Sequence, residues 1–210
     1  MDATQVTVRD VRYVGADTVA ITLETPDDFT ADPGEFVRVR ATVDGESIGR
    51  YYTLSSPTVE DTFEITVEID PDGDLTPYLA GLEVGDAVEV EGPFGSVAYD
   101  GEGDVLVLAG GPGVGPAVAI GERAVAADNA VAIVYLDDAP VHEERLSALA
   151  SAGGSVSMAS DEAGFRDAVS SLADIGPPYV FGFQEFCDLS LDALEDAGRD
   201  PDDALVESFG

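Results

Sequence analysis

The sequence predicts two structural halves: an antiparallel barrel or sandwich up to about residue 99, then a parallel-sheet α/β domain. Three observations carry this. Short stretches in which apolar and polar residues alternate recur through the first half, separated by turn signals. From about residue 103, apolar runs without alternation take turns with segments of helical period. Between them lies a polar Gly/Asp stretch, YDGEGD. The expected domains are therefore 1–100 and 101–210.

In the first half, QVTVRDVRYV, TVAITLE, EFVRVRATV, RYYTLSS, TFEITVEID and AVEVEG read as strands. TFEITVEID alternates most strictly: Phe63, Ile65, Val67 and Ile69 interleave with Glu64, Thr66, Glu68 and Asp70. That pattern predicts a half-buried strand with one wet face. DPGE, DGES and PDGD supply turns, and LTPYLAGL supplies one short helix. In the second half, DVLVLAG, AVAIVYL, SVSMAS, YVFGF and ALVESF are strands. GPAVAIGERAVAA, VHEERLSALA, FRDAVSSLA and LSLDALEDAG are the helices between them.

Composition narrows the function classes. The formal net charge is −34, with 9 Lys+Arg against 43 Asp+Glu, and every one of the nine cations is arginine. Such a surface repels phosphate backbones and anionic membranes, so nucleic acid is not an expected partner. With 45% hydrophobic residues and good periodicity, the chain is expected to fold, and its acidity suits molar salt, where the Debye length is about 3 Å. No apolar run reaches the roughly 20 residues of a membrane helix, and no signal segment is apparent, so the cytoplasm is the expected location. One cysteine, Cys187, and one histidine, His142, are too few for an iron–sulfur cluster or a zinc site, so no metal is expected. Cys187 reads as a small buried hydrophobe and His142 as a surface residue at a helix start.

Two motifs carry chemistry. AGGPGVGPAVAI, residues 109–120, follows a buried strand and opens a helix. Gly110, Gly111, Gly113 and Gly115 allow a tight turn and close backbone approach, and a helix N-terminus attracts phosphate. Pro116 suits a first helical turn. Asp137 follows at the end of the next strand, where a carboxylate accepts from an adenosine ribose and repels a 2′-phosphate. No cation lies between Arg123 and Arg145, which also favours NADH over NADPH. The other motif is RYYTLSSP, residues 50–57, which sets a scarce arginine beside aromatic rings and hydroxyls, a combination suited to a ligand with an anionic part and a flat part.

Arg50-x-Tyr52-Thr53, Gly73-x-x-Thr76 and the GGxGxxP pattern of Gly110 to Pro116 occur in that order. Together they resemble the ferredoxin–NADP reductase-like flavoproteins over nearly the whole chain. The resemblance implies a Greek-key FAD-binding barrel followed by a NAD(P)-binding α/β domain. It implies that Arg50 pairs with the FAD pyrophosphate, Tyr52 stacks on the isoalloxazine and Thr53 places its hydroxyl near flavin N5. Val67, Ile69, Gly73, Leu75 and Thr76 complete the implied FAD site, with Phe209 near the chain end as a cover. Gly110, Gly111, Gly113, Val114, Gly115, Pro116, Asp137 and Gly182 form the implied NAD(P) site. GPFG, residues 92–95, matches the family as a structural element.

One departure stands out. Where the family shows Cys-Gly-Pro after the fourth strand of the second domain, this chain has Phe181-Gly182-Phe183. The resemblance implies an FAD-dependent oxidoreductase that takes a hydride from NAD(P)H and passes electrons to an acceptor such as ferredoxin. Two alternatives are a flavin electron-transfer subunit of a larger dehydrogenase complex and a flavin-binding module without nicotinamide reactivity. Arg9, Arg12, Arg38 and Arg40 are the only local concentration of cations for an acidic partner.

Overall fold

The computed structural model describes residues 3–209. The first half is one six-stranded antiparallel sheet in the order β4-β3-β6-β1-β2-β5. Its strands are β1 (Thr4–Tyr13), β2 (Thr18–Glu24), β3 (Phe36–Val43), β4 (Glu46–Thr53), β5 (Thr62–Glu68) and β6 (Ala87–Phe94). A bridge between Leu54 and Ile65, with Ser55 N–H donating to Glu64 O at 2.8 Å, brings the two edges together into a barrel. The β3–β4 hairpin turns at Asp44 and Gly45, both at positive φ (51° and 87°), as a two-residue Asp-Gly loop demands. Alternation places Val37, Val39, Leu54, Phe63, Ile65 and Val67 in the barrel core. A six-residue helix, α1 (Leu75–Ala80), closes one end through Leu75 and Leu79.

The second half is a five-stranded parallel sheet in the order β11-β10-β7-β8-β9. Its strands are β7 (Val105–Gly110), β8 (Val131–Leu136), β9 (Ser155–Ala159), β10 (Pro178–Gly182) and β11 (Leu205–Ser208). The crossovers are α2 (Val114–Ala126), α3 (Glu143–Ser151), α4 (Glu162–Leu172) and α5 (Gln184–Asp196). β7 is buried at every position, as expected of a strand covered on both faces. Separate apolar clusters fill the two sides of this sheet, around Tyr135 and Phe181 on one and Phe165 and Leu194 on the other. α5 starts five residues before the expected LSLDALEDAG, so Phe186 and Cys187 are helical. Cys187 is buried, as expected.

Two expectations are corrected at the junction of the halves. The expected wet face of β5 is covered over its first half, with Glu64 9% and Thr66 7% exposed, while Glu68 and Asp70 are exposed as expected. His142, expected on the surface, is 3% exposed. The reason is the same for both, because the α/β half packs on that strand. His142 Nε2 lies 2.8 Å from Thr66 Oγ1. Glu64 accepts from Arg12 at 2.7 Å, from Arg145 at 3.0 Å and from Ser55 Oγ at 3.0 Å. Arg145, on α3, also grips Glu122 of α2 with both Nε and Nη2 at 2.7 Å and donates to Ser55 O at 2.7 Å. Alternation can say that a face is polar, but it cannot say that a second domain covers it.

These contacts generate two predictions. Replacing Arg145 with Met leaves Glu122 without its cation and Glu64 with Arg12 alone; because these side chains are 11–31% exposed, the loss is expected to fall below the roughly 3–5 kcal/mol of a fully buried broken pair. Urea denaturation in molar KCl is expected to show that loss, and an unchanged midpoint would remove the junction's energetic role. His142 is held down to about 3, mainly by burial and then by the nearby Arg145 and Arg12 charges. Above pH 6.5 both folded and unfolded forms are neutral there. As pH falls from 6.5 towards 3 the unfolded chain takes up a proton that the folded one refuses, so stability falls by up to about 1.4 kcal/mol per pH unit. His142→Asn, which tolerates the left-handed backbone at that position (φ 56°), is expected to flatten the acid limb of the stability curve relative to the parent.

Candidate functional site

A cleft of about 850 Å³ opens between the two halves, a size typical of small-molecule sites. The barrel contributes Arg50, Tyr52 and Thr53 from the end of β4. Strand geometry explains the grouping, since Arg50 and Tyr52 are two apart and share a face. Thr76 borders the cleft from α1, but its hydroxyl is engaged with the backbone of Asp70 at 2.9 and 3.3 Å. The α/β half contributes Pro112, Phe183 and the β11 end, Glu207 to Phe209. Phe209 meets Phe183 edge-on, with ring centroids 6.1 Å apart.

Several residues of the implied FAD site lie elsewhere. Val67 and Leu75 point into the barrel core, and Ile69 packs against it. On β5 the alternate positions Thr66 and Glu68 face the cleft instead, so only the backbone of Val67 remains for a ligand. Gly73 N–H donates to Asp70 O at 3.0 Å and is not in the cleft wall.

The glycine-rich turn divides in a similar way. A Cβ on Gly113 would lie 2.1 Å from Phe181 O, and one on Gly110 would lie 2.4 Å from the Phe186 ring. Gly182 would meet the same ring at 2.5 Å. Gly115 faces Thr66 and Ser55 of the barrel, and Val114, Gly115 and Pro116 are buried. Gly111 alone of this turn combines positive φ (53°) with open space where a Cβ would stand. Together with Pro112 it is the accessible part of the motif. Asp137 sits one residue past Leu136, which pairs with Gly110 across β7 and β8. Its carboxylate accepts from Tyr135 O–H at 2.8 Å and from Ala139 N–H at 2.9 Å.

The electrostatics of the cleft are uneven. Arg50 is its only lining cation, and its Nη1 donates to Gly49 O at 3.0 Å. Glu68, Asp70 and Glu207 supply carboxylates, and burial pushes Glu207 up. The Tyr52 hydroxyl is buried without a hydrogen-bond partner among the described residues. Burial raises it to about 12, against the opposing pull of Arg50. A buried polar atom of that kind is uncommon and calls for a partner.

The comparisons with known proteins agree with this architecture. The family described as oxidoreductase FAD-binding domain matches residues 5–99. The reductase subunit of glycine betaine monooxygenase from Chromohalobacter salexigens is 42% identical over 93 residues, covering 42% of this chain and 25% of that protein. NADH-cytochrome b5 reductase-like protein from Mus musculus is 37% identical over 91 residues, covering 42% of this chain and 29% of that protein. The chain thus spans little more than a quarter of the curated relatives it matches. Among solved structures, the FAD/NAD-binding domain of nitric oxide dioxygenase from Vibrio cholerae superposes with a TM-score of 0.84 at 21% identity, covering 100% of both chains. A ferredoxin NADP+ reductase from Neisseria gonorrhoeae superposes at 0.79 with 19% identity, again over 100% of both. This chain has the two-domain fold of those structures, and its barrel matches an oxidoreductase FAD-binding domain.

Sequence reasoning passed over several cleft residues. Phe36, Tyr51 and Phe94 form a mutual edge-to-face and tilted cluster, with centroids 5.6 to 6.1 Å apart, along one wall. Phe94 belongs to GPFG, so that segment lines the cleft as well as shaping the barrel. Alternation hid them, because they occupy the outward face of a barrel edge. Glu207 was equally silent in a chain with 43 acidic residues. The local concentration of cations is paired: Arg9 with Glu24, Arg12 with Glu64, and Arg38 and Arg40 with Glu91.

The two glycines of the turn make a prediction that separates packing from accessibility. Gly111→Ala costs about 1 kcal/mol, the penalty of a Cβ in left-handed backbone. Gly113→Ala drives a Cβ into Phe181 O and is expected to lower the melting temperature far more. Equal melting temperatures for the two variants would contradict this assignment.

Proposed function

We propose that this chain is an FAD-dependent NAD(P)H oxidoreductase that favours NADH and delivers electrons to a protein acceptor such as a ferredoxin. In this reading residues 1–100 bind FAD, residues 101–210 bind the nucleotide, and the protein works in the cytoplasm at high salt. The observation that carries it is the cleft at the end of β4, where Arg50 and the unpartnered hydroxyl of Tyr52 stand together opposite Phe183 and Phe209. These residues fit FAD: a guanidinium fork for the pyrophosphate, an aromatic face for the ring system and a hydroxyl at Thr53 for its edge. Bound there, FAD would supply the redox chemistry between a reduced nicotinamide and the acceptor. The chain's part is to orient and to exclude water. Tyr52 and Thr53 fix the ring, Gly111 and Pro112 offer backbone to the nucleotide, and Asp137 receives its ribose. The names of the relatives, which are reductase components, support the same reaction class. No helix among the described residues is long and apolar enough to cross a membrane.

A flavin-binding module without nicotinamide reactivity is the second reading. It is favoured by Phe183, 53% exposed at the cleft beside Phe209, where the family pattern has a proline.

A visible spectrum followed by anaerobic titration decides between them. Flavin absorbance that bleaches with NADH before NADPH supports the first reading, and flavin that ignores both supports the second. A protein that takes up no FAD overturns both. Arg50→Met is expected to weaken FAD binding about 10- to 100-fold, the scale of a lost charge-assisted phosphate contact. Because three carboxylates face one arginine in the cleft, FAD is expected to bind more tightly as KCl rises.

A further inference from the structure

We propose that Tyr135 is a positioning residue for nucleotide recognition: its hydroxyl holds the Asp137 carboxylate in the orientation that receives an adenosine ribose, and so sets the preference for NADH over NADPH. This rests on the reading that the nucleotide docks beside Gly111. Tyr135 is the penultimate residue of β8 and is fully buried, its ring fixed in the apolar cluster beneath α2 and α3. Its O–H reaches Asp137 Oδ2 at 2.8 Å, while Ala139 N–H holds Oδ1 at 2.9 Å. Each carboxylate oxygen thereby has one acceptor site taken and one open, and two open sites side by side match the two hydroxyls of a ribose.

The torsion that turns a carboxylate is soft, so Oδ1 alone would not set its plane. The rigid phenol removes that freedom. Burial, followed by the hydrogen bond to Asp137, pushes the phenol well above its usual range, which keeps it a donor. Placement agrees with the role. Leu136 pairs with Gly110, so Asp137 and the accessible Gly111 are the residues that leave two neighbouring strands at the carboxyl edge of the sheet. The loop from Asp137 to His142 carries no arginine or lysine to neutralise a 2′-phosphate.

Calorimetry on the FAD-loaded protein with ADP-ribose and with 2′-phospho-ADP-ribose tests this without relying on turnover. The parent is expected to bind ADP-ribose more tightly. Tyr135→Phe is expected to weaken ADP-ribose about 5- to 10-fold, the effect of one hydrogen bond, and to leave 2′-phospho-ADP-ribose within about two-fold. The limiting rate of anaerobic flavin reduction at saturating NADH is expected to stay unchanged. Asp137→Asn is expected to weaken ADP-ribose at least as much. An ADP-ribose affinity that falls in Asp137→Asn but not in Tyr135→Phe overturns the role of Tyr135 and leaves the ribose role of Asp137 standing. Equal loss for both ligands in Tyr135→Phe also overturns it, because a collapsed loop would do that. A parent protein that binds neither ligand overturns the nucleotide reading and this inference with it.

Discussion

Glu64 and Arg145 fix how the two halves of this protein meet, and the cleft depends on that geometry. Glu64 lies on a barrel strand and Arg145 on a helix of the other domain, 81 residues later. Taking both out of water is costly unless every donor and acceptor is matched. Here the matching is dense. Glu64 collects Arg12, Arg145 and Ser55, and Arg145 adds Glu122 and a backbone carbonyl. The segment RYYTLSSP therefore has two ends with different tasks. Arg50, Tyr52 and Thr53 face the cleft, while Ser55 and Ser56 hold Glu64 in place. One stretch of chain ties the cofactor wall to the domain junction, so a change in domain angle and a change in the cofactor wall are coupled through a few covalent bonds.

The glycines of the second motif show how packing and binding compete for the same small residues. In an open α/β sheet the ligand crevice lies at the carboxyl ends of the strands where the order reverses, here between β7 and β10. Phe186 lies against Gly110 and Gly182, the last residues of those two strands. The missing side chains let that ring sit close to the backbone. Gly113 similarly admits the carbonyl of Phe181, and Gly115 admits the barrel. A glycine pattern read as a phosphate loop is thus mostly a set of close approaches between neighbouring elements. What remains open to a ligand is the Gly111–Pro112 corner. Phe183 and Phe209 lie at the same cleft, where the proline of the family pattern would leave more room than Phe183 does.

Local periodicity made most elements legible. Alternation marked β5 and the apolar run marked β7, because each signal reflects the strand's own burial. Sequence missed what depends on distant chain. The start of α5, QEFCD, mixes polar and apolar residues without a cap, and its helicity comes from packing Phe186 and Cys187 under the sheet. The burial of Glu64, Thr66 and His142 comes from a partner domain that no local pattern encodes. In the cleft, Arg50, Tyr52 and Thr53 were legible because a rare cation beside aromatic rings is chemically distinctive. Glu207 was not, being one acid among many, and Phe36 was not, because an aromatic at the start of a strand reads as ordinary packing.

The scarcity of positive charge turns each arginine into a marker. Arg12 and Arg145 serve the junction. Arg38 and Arg40 converge on Glu91 across the barrel sheet, and Arg9 on Glu24. Arg166 joins α4 to Asp192 and Asp196 of α5, and Arg123 and Arg199 donate to backbone carbonyls. Every one of these ties together two segments of the fold. Arg50 differs: it is exposed, and its hydrogen bond goes no further than the carbonyl of the residue before it. In a protein of charge −34, an arginine beside carboxylates that it does not pair with is held available for an anion from outside. Its place at the mouth of an aromatic-walled cleft suits an anion joined to a flat ring system, which is why the proposed cofactor site rests on this residue more than on the glycine loop.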